Sequence, residues 1–113
     1  MSAITSHVLD TSRGVPAADL GVMLERIEKS GLATLAGSAR TDTDGRVRAL
    51  LPEGMALQPG RYRIRFETAS WFARQGVESF YAEVVVDFLA REGGHYHVPL
   101  LLSPFGYSTY RGS

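Results

Sequence analysis

Two histidines and one arginine are the residues of this sequence best suited to acid–base chemistry. His7 and His97 lie beside apolar neighbours in strand-like stretches, and Arg46 follows the turn signal Asp44-Gly45. Imidazole titrates at about pH 6.5, so it can accept and return a proton near neutrality. Guanidinium is permanently charged and binds two acceptors at once, which suits a carbonyl-rich ligand or a developing oxyanion. On residue type alone, a strand histidine is more often a core or interface residue than a catalyst.

Metal binding is a weaker interpretation of the same residues. His95 and His97 alternate along one predicted strand, about 6.6–6.8 Å apart, which is compatible with two metal ligands. No third ligand is evident, so we predict no metal site and place His95 in a loop or behind the site. Residues 42–45 (Asp-Thr-Asp-Gly) are similar to the start of a calcium loop, but the segment that leads to Glu53 is too apolar and basic to complete one. We therefore predict a turn there.

Alternation with a period of two residues predicts that strands dominate the fold. Residues 61–66 place arginines on one face and apolar side chains on the other. Residues 4–10, 20–24 and 80–88 alternate in a similar way. Segments rich in glycine, proline and aspartate separate these stretches and supply the reversals that a sheet needs.

One helix and a simple architecture complete the prediction. Residues 69–75 suit a short helix, with Thr68 as its cap and Gly76 as its stop. Regularly spaced strands with one short helix predict an all-β protein, an antiparallel β-sandwich of about seven or eight strands. The length of 113 residues fits a single domain over residues 1–113.

The strand near the C-terminus is apolar on both of its faces. Tyr96, Val98, Leu100 and Leu102 lie on one face, and His97, Pro99 and Leu101 lie on the other. A sandwich strand normally buries one face and exposes the other to water. The second face therefore predicts a contact with another subunit or the wall of a ligand cleft.

Bulk properties exclude several classes of function. Twelve basic and twelve acidic residues cancel, so no net charge favours nucleic acid, and no aromatic residue lies on the arginine face of residues 61–66 to stack bases. Cysteine is absent, which excludes disulfides and thiolate chemistry. No apolar run is long enough to span a membrane and the first residues do not resemble a leader, so a cytoplasmic protein without a membrane partner is expected.

The whole chain resembles the 5-hydroxyisourate hydrolases, the enzymatic branch of the transthyretin-like proteins. Residues 6–11 (Ser-His-Val-Leu-Asp-Thr), 14–17 (Gly-Val-Pro-Ala) and 43–47 (Thr-Asp-Gly-Arg-Val) carry part of the resemblance. The more specific part is His-Tyr-His-Val-Pro-Leu-Leu-Leu-Ser-Pro at residues 95–104 and the final Tyr-Arg-Gly-Ser at residues 110–113. Transthyretin is similar in overall pattern but lacks the histidine positions and this ending.

The resemblance implies an enzyme that opens the ring of 5-hydroxyisourate to give 2-oxo-4-hydroxy-4-carboxy-5-ureidoimidazoline, a step of urate degradation. It implies no cofactor, no metal and no covalent intermediate. It also implies a homotetramer, a dimer of dimers, with its sites in a central channel. The implied catalytic residues are His7, Arg46, His97 and Tyr110. The implied substrate-binding residues are His7, Arg46, Ser108, Tyr110, Arg111 and Ser113, with the carboxylate of Ser113 anchoring the tail.

Two alternatives remain at this point. On the same scaffold, a carrier like transthyretin would bind a planar ligand without turnover. A structural sandwich would use its apolar strand faces for assembly only. Which histidine acts as the general base is also open.

Overall fold

Alternation of apolar and polar residues produces two packed sheets in the computed structural model, which describes residues 2–113. In chain order the elements are β1 (Ile4–Asp10), β2 (Val15–Pro16), β3 (Gly21–Ile27), β4 (Ala33–Arg40), β5 (Arg46–Val47), β6 (Gly60–Phe66), α1 (Thr68–Ala73), β7 (Val84–Ala90), β8 (Tyr96–Ser103) and β9 (Gly106–Thr109). The first sheet has the order β2-β1-β8-β9, with β5 also paired to β1. The second has the order β4-β3-β6-β7.

The predicted all-β sandwich with one short helix is confirmed. Seven of the strands described have four or more residues, and β2 and β5 are two-residue pieces at the edge of β1. Pairing is antiparallel except between β1 and β8, which run parallel. That parallel pair joins the N-terminal strand to the C-terminal part of the chain.

The outer face of the second sheet is ionic. Tyr62, Ile64 and Phe66 of β6 are buried between the sheets, so the three alternating arginines of this strand point outward. They form ion pairs with carboxylates of the neighbouring strands β3 and β7 and of the segment before β7: Arg61 and Arg63 with Asp87, and Arg65 with Glu25 and Glu83. The charged side chains of this face are thus paired with one another, so the face does not require a second subunit to cover it.

The outer face of the first sheet has a different character. The core takes Ile4 and Val8 from β1 and the even-numbered residues 96–102 from β8. The residues between them, His7 and Leu9 on β1 and His97 and Leu101 on β8, lie half-buried on the outside. The predicted second face of residues 97–102 is thus present, and it carries both histidines.

Two predicted boundaries are wrong for identifiable reasons. Helix α1 is capped at Glu67 without a side-chain hydrogen bond, because Thr68 turns into the core and is 1% exposed. Strand β7 begins at Val84, since the preceding segment is tied elsewhere: the Phe80 N–H donates to the Pro104 carbonyl at 2.8 Å. Phe80 is consequently 72% exposed instead of buried.

Strand β4 was not predicted. Its residues are mostly small or polar, with sequence ATLAGSAR, and it lies at a sheet edge with most of its side chains exposed. An edge strand that buries little apolar surface carries little alternation. Among residues 2–113, no helix has the length and apolar character that a membrane crossing requires.

Candidate active site

Strand pairing brings the predicted acid–base residues onto one sheet face. In the parallel pair, Thr5 of β1 lies opposite His97 of β8 and His7 lies opposite Pro99. On the other side of β1, strand β5 places Arg46 opposite His7. Residues opposite one another on paired strands project to the same face of a sheet. His7, Arg46 and His97 therefore share the outer face of the first sheet, although 90 positions separate the two histidines in the sequence.

A tight turn fixes the position of Arg46. The Asp42 carboxylate accepts hydrogen bonds from the backbone N–H groups of Arg46 and Asp44, each at 2.9 Å. These bonds, that from Arg46 foremost, hold the pKa of the Asp42 carboxyl below its usual range, with smaller help from the charges of Arg48 and Arg46. Gly45 adopts φ +75°, and a Cβ there would lie 2.3 Å from the Val8 carbonyl oxygen. The predicted turn is confirmed.

A cleft of about 420 Å³ opens on this face. Its lining residues come from β1, β5, β8 and the C-terminal tail and from the segments next to them: Thr5, Ser6, Arg46, Val47, Arg48, Glu53, His95, His97 and Ser113. The volume lies within the range of about 300–1,000 Å³ that is usual for small-molecule sites. Within the described part of the chain, no three histidine, aspartate or glutamate side chains group closely enough to hold a metal ion.

Each imidazole has one nitrogen held by the protein. His7 Nε2 lies 2.8 Å from the Asp44 carbonyl oxygen. A carbonyl only accepts, so Nε2 carries a proton and Nδ1 of neutral His7 is free to accept one. His97 Nδ1 lies 2.8 Å from the Thr5 hydroxyl. His97 Nε2 has no hydrogen-bond partner among residues 2–113 and is available to a ligand or a water molecule.

The surroundings of His97 favour its neutral form. Partial burial of the ring is the main cause that lowers the pKa of His97 from its ordinary value of 6.5. The positive charge of Arg46 lowers it further, as do the neighbouring imidazoles of His7 and His95. Neutral imidazole accepts a proton, so His97 is prepared to act as a base at neutral pH.

The C-terminal tail returns to His97 and completes the cleft. The Gly112 N–H donates to the His97 carbonyl at 2.8 Å, in the register of the β8–β9 pairs. Between this bridge and the last regular pair, Leu100 with Thr109, the pairing is interrupted at Pro99, which has no N–H to offer. Although β8 is an interior strand and not an edge, the proline thus breaks its ladder, and Ser113 reaches the cleft beyond the break.

Not every predicted site residue reaches the cleft within one chain. Arg46, His97 and Ser113 line it, and His7 lies beside it on the same face. Ser108 is farther along that face, opposite Leu101. Tyr110 and Arg111 line a separate cavity of about 310 Å³ between β7 and β8, where the Arg111 guanidinium lies 4.4 Å from the Tyr96 ring centroid.

Thr5 and His95 belong to the cleft but were not predicted as site residues. Thr5 contacts the rings of both His95 and His97, and His95 lies just before β8. Alternation along β1 was a usable signal for Thr5, because it places this residue on the same face as His7. No sequence signal indicated that the hydroxyl would meet a ring from the other end of the chain.

Replacing Gly112 by alanine should damage the site while the sandwich stays folded. A Cβ at this position would lie 2.6 Å from Cδ2 of His97, so either the ring or the tail must move. Small misplacements of a reacting group can cost about 10²-fold in rate. We expect turnover to fall by about 10-fold or more, with unchanged circular dichroism. Gly106→Ala is the matched control, because its φ is not positive and the nearest atom to a Cβ there is Ser103 Oγ at 3.7 Å, an ordinary contact. Equal turnover of both variants would contradict a role for the tail in holding His97.

The fold and the site together define a transthyretin-like β-sandwich protein with a histidine- and arginine-lined cleft on one sheet. The family model described as the HIUase/Transthyretin family matches residues 4–112, and the chain belongs to this family.

Similar proteins include 5-hydroxyisourate hydrolases and a transthyretin in complex with thyroxine. A 5-hydroxyisourate hydrolase of Salmonella typhimurium is 44% identical over 111 residues, covering 97% of this chain and 80% of that protein. The structure of Klebsiella pneumoniae 5-hydroxyisourate hydrolase has a TM-score of 0.84 and 38% identity, covering 97% of this chain and 98% of that one. Sea bream transthyretin in complex with thyroxine has a TM-score of 0.90 and 30% identity, covering 97% and 94%. Since the hydrolase and the transthyretin have the same fold, function must be argued from the side chains of the cleft.

Proposed function

We propose that the protein is a 5-hydroxyisourate hydrolase, which opens the ring of its substrate with water to give 2-oxo-4-hydroxy-4-carboxy-5-ureidoimidazoline. One observation carries the proposal: an imidazole whose pKa is lowered and a guanidinium line the same cleft, with a second imidazole beside them. This combination supplies a base and an anion-stabilising group, which hydrolysis of a cyclic amide requires. The enzymatic relatives support the same substrate.

In this mechanism His97 is the general base. Its free Nε2 takes a proton from a water molecule, whose oxygen attacks the lactam carbonyl carbon. His7, fixed through Nε2 by the Asp44 carbonyl, offers its Nδ1 to orient the same water. The proton held on His97 is then available to the leaving nitrogen as the ring C–N bond breaks. General acid–base assistance of this kind is typically worth about 10²–10⁴ in rate.

Arg46 has the complementary role. Attack converts the planar carbonyl into a tetrahedral centre with negative charge on oxygen, and a fixed cation stabilises that charge without reorganising. The backbone bonds from the Asp42 turn hold Arg46 at its position before substrate arrives. Arg46 also binds the carbonyl oxygens of the substrate through its two parallel N–H donors.

A homotetramer, a dimer of dimers, is the proposed assembly, with the cleft facing a channel between dimers. The contrast between the two outer faces supports it. The second sheet satisfies its charges internally, whereas the first presents His7, Leu9, His97 and Leu101 half-buried. In such a channel, Ser108, Tyr110 and Arg111 would meet substrate only together with a second subunit. These three roles, and the cytoplasmic location, stay predictions.

Direct measurement of turnover tests the proposal. Freshly generated 5-hydroxyisourate loses its ultraviolet absorbance as the ring opens, and the rate with protein is compared with the uncatalysed background. We expect acceleration in proportion to protein concentration and competition by urate-like purine analogues. A carrier would bind such analogues without accelerating the loss, and a purely structural sandwich would do neither.

The pH dependence of kcat/KM provides a further prediction. Because the pKa of His97 is lowered by burial and by Arg46, activity should persist below pH 6.5 and decline only as the pH falls through the lowered value. Removing the Arg46 charge should move this acid limb to higher pH, since a neighbouring positive charge disfavours protonation. The residual activity of Arg46→Ala is compared with wild type across the acid range. An acid limb that stays in place would show that His97 is not the group that titrates.

A further inference from the structure

Thr5 has a position that the proposed mechanism does not yet use. Its hydroxyl oxygen lies 2.8 Å from His97 Nδ1 and 3.4 Å from His95 Nε2, so it joins two imidazoles. Thr5 is on β1, opposite His97 in the parallel pair, whereas His95 precedes β8. No other hydrogen bond of the Thr5 side chain occurs within the described chain.

The Thr5–His97 hydrogen bond can run in either direction, and its direction decides the tautomer of neutral His97. A hydroxyl has one proton to donate and lone pairs with which to accept. If Thr5 donates to His97 Nδ1, the proton of neutral His97 must sit on Nε2. If Thr5 instead accepts from His97 Nδ1 and donates to His95 Nε2, then His97 Nε2 is left with its lone pair.

The charge of Arg46 separates the two patterns. Arg46 lines the cleft together with His97, and its field acts on the His97 ring. With Nδ1 held by Thr5, the other ring nitrogen is the one left for the cleft. A lone pair near a cation is favourable, whereas an N–H dipole pointing toward it is not. The field therefore favours the tautomer with the proton on Nδ1.

We propose that Thr5, assisted by His95, sets the tautomer of His97. The chain of donors runs from His97 Nδ1–H to the Thr5 hydroxyl and from that hydroxyl to His95 Nε2. It leaves His97 Nε2 unprotonated, as a base facing the cleft. Thr5 and His95 are positioning residues, since they act through His97. Thr5 has the larger effect on the tautomer because its hydroxyl contacts the His97 ring directly, at 2.8 Å. His95 acts only through that hydroxyl, at 3.4 Å. The proposal rests on the hydrolase mechanism for its catalytic consequence, but the tautomer itself does not depend on it.

The nitrogen NMR spectrum of the His97 ring tests the tautomer without substrate. It is recorded on the full chain at a pH where His97 is neutral, for wild type, Thr5→Val and Thr5→Ser. We expect the proton on Nδ1 in wild type and in Thr5→Ser, which keeps the hydroxyl. In Thr5→Val we expect it to move to Nε2, because an N–H facing a methyl group would be left unsatisfied. A wild-type proton on Nε2, or a Val variant with the wild-type tautomer, would overturn the proposal.

Turnover of the same variants tests the catalytic consequence. We expect kcat of Thr5→Val to fall by about 5-fold to 100-fold, the range that loss of one buried hydrogen-bond partner implies, with KM changed little. Thr5→Ser should recover most of kcat, and His95→Ala should lose less than Thr5→Val. Thr5→Ala provides the same measurement should the valine variant fold poorly. A shifted tautomer with unchanged kcat would overturn the positioning role. Absence of turnover in wild type would refute the hydrolase proposal and leave the tautomer result standing.

Discussion

His97→Ala is expected to lower turnover at least about 10²-fold, the lower bound for loss of general acid–base assistance. The His97 ring lines the cleft and is partly buried, which lowers its pKa, and its Nε2 has no hydrogen-bond partner among residues 2–113. His95 is exposed. The variant should still fold, because the ring lies on the outer face of the first sheet and not between the sheets. The measurement is the initial rate above the uncatalysed background, with circular dichroism and thermal melting to verify the fold.

A second substitution separates basicity from packing. His97→Gln keeps a polar side chain of similar reach but cannot accept a proton at neutral pH, so its loss should match that of His97→Ala. Added imidazole should restore part of the activity to the alanine variant, because a free base can occupy the vacated space. Full turnover in either variant would assign the base elsewhere, with His7 the next candidate.

Arg46→Ala is expected to have a comparable effect, a loss of about 10²–10³-fold, as for removal of one group that stabilises an oxyanion. The expected signature is a fall in kcat together with a rise in KM, since Arg46 both binds substrate oxygens and stabilises the charge of the transition state. Arg46→Lys should recover only part of the loss, because lysine keeps the charge but not the two-pronged geometry. Initial rates over a range of substrate concentrations measure both constants.

The matched control for Arg46 is Arg13→Ala. Arg13 carries the same charge but its guanidinium binds the Gln75 side chain outside this cleft. We expect kcat and KM of this variant to stay near wild type. Equal losses at Arg13 and Arg46 would indicate a general electrostatic attraction for substrate and would contradict a specific role in the transition state.

The face of the strand on which each residue lies was predictable, because it depends only on the alternation of neighbouring residues. Alternation placed Ile4 and Val8 inward and His7 outward, and it separated Val98 from His97 in the same way. The prediction failed where contacts with distant parts of the chain override the local pattern. Residues 80–83 alternate like a strand, but the Phe80 N–H donates to the Pro104 carbonyl. Thr68 is of a residue type that often caps helices, but its side chain is buried.

Residue types and motifs likewise predicted part of the site. His7, Arg46, His97 and Ser113 were named, and they lie together in or beside one cleft. Tyr110 and Arg111 were named with them but line a different cavity of the single chain. Closeness to Ser113 in the sequence does not imply a shared pocket. The tail runs antiparallel beside β8, where Tyr110 and Arg111 line the cavity next to β7 and Ser113 lines the cleft.

The sequence by itself therefore determined the sandwich, the face of each strand and the kinds of group available for chemistry. These features follow from the two-residue period of a strand and from side-chain chemistry, which act within a few positions. Only the tertiary structure decided which nitrogen of each imidazole is held, by the Asp44 carbonyl at His7 and by the Thr5 hydroxyl at His97. Those contacts join residues 37 and 92 positions apart, so they depend on the register of paired strands and the path of a turn. Local composition constrains such distances very little, because they are set by the packing of the whole domain.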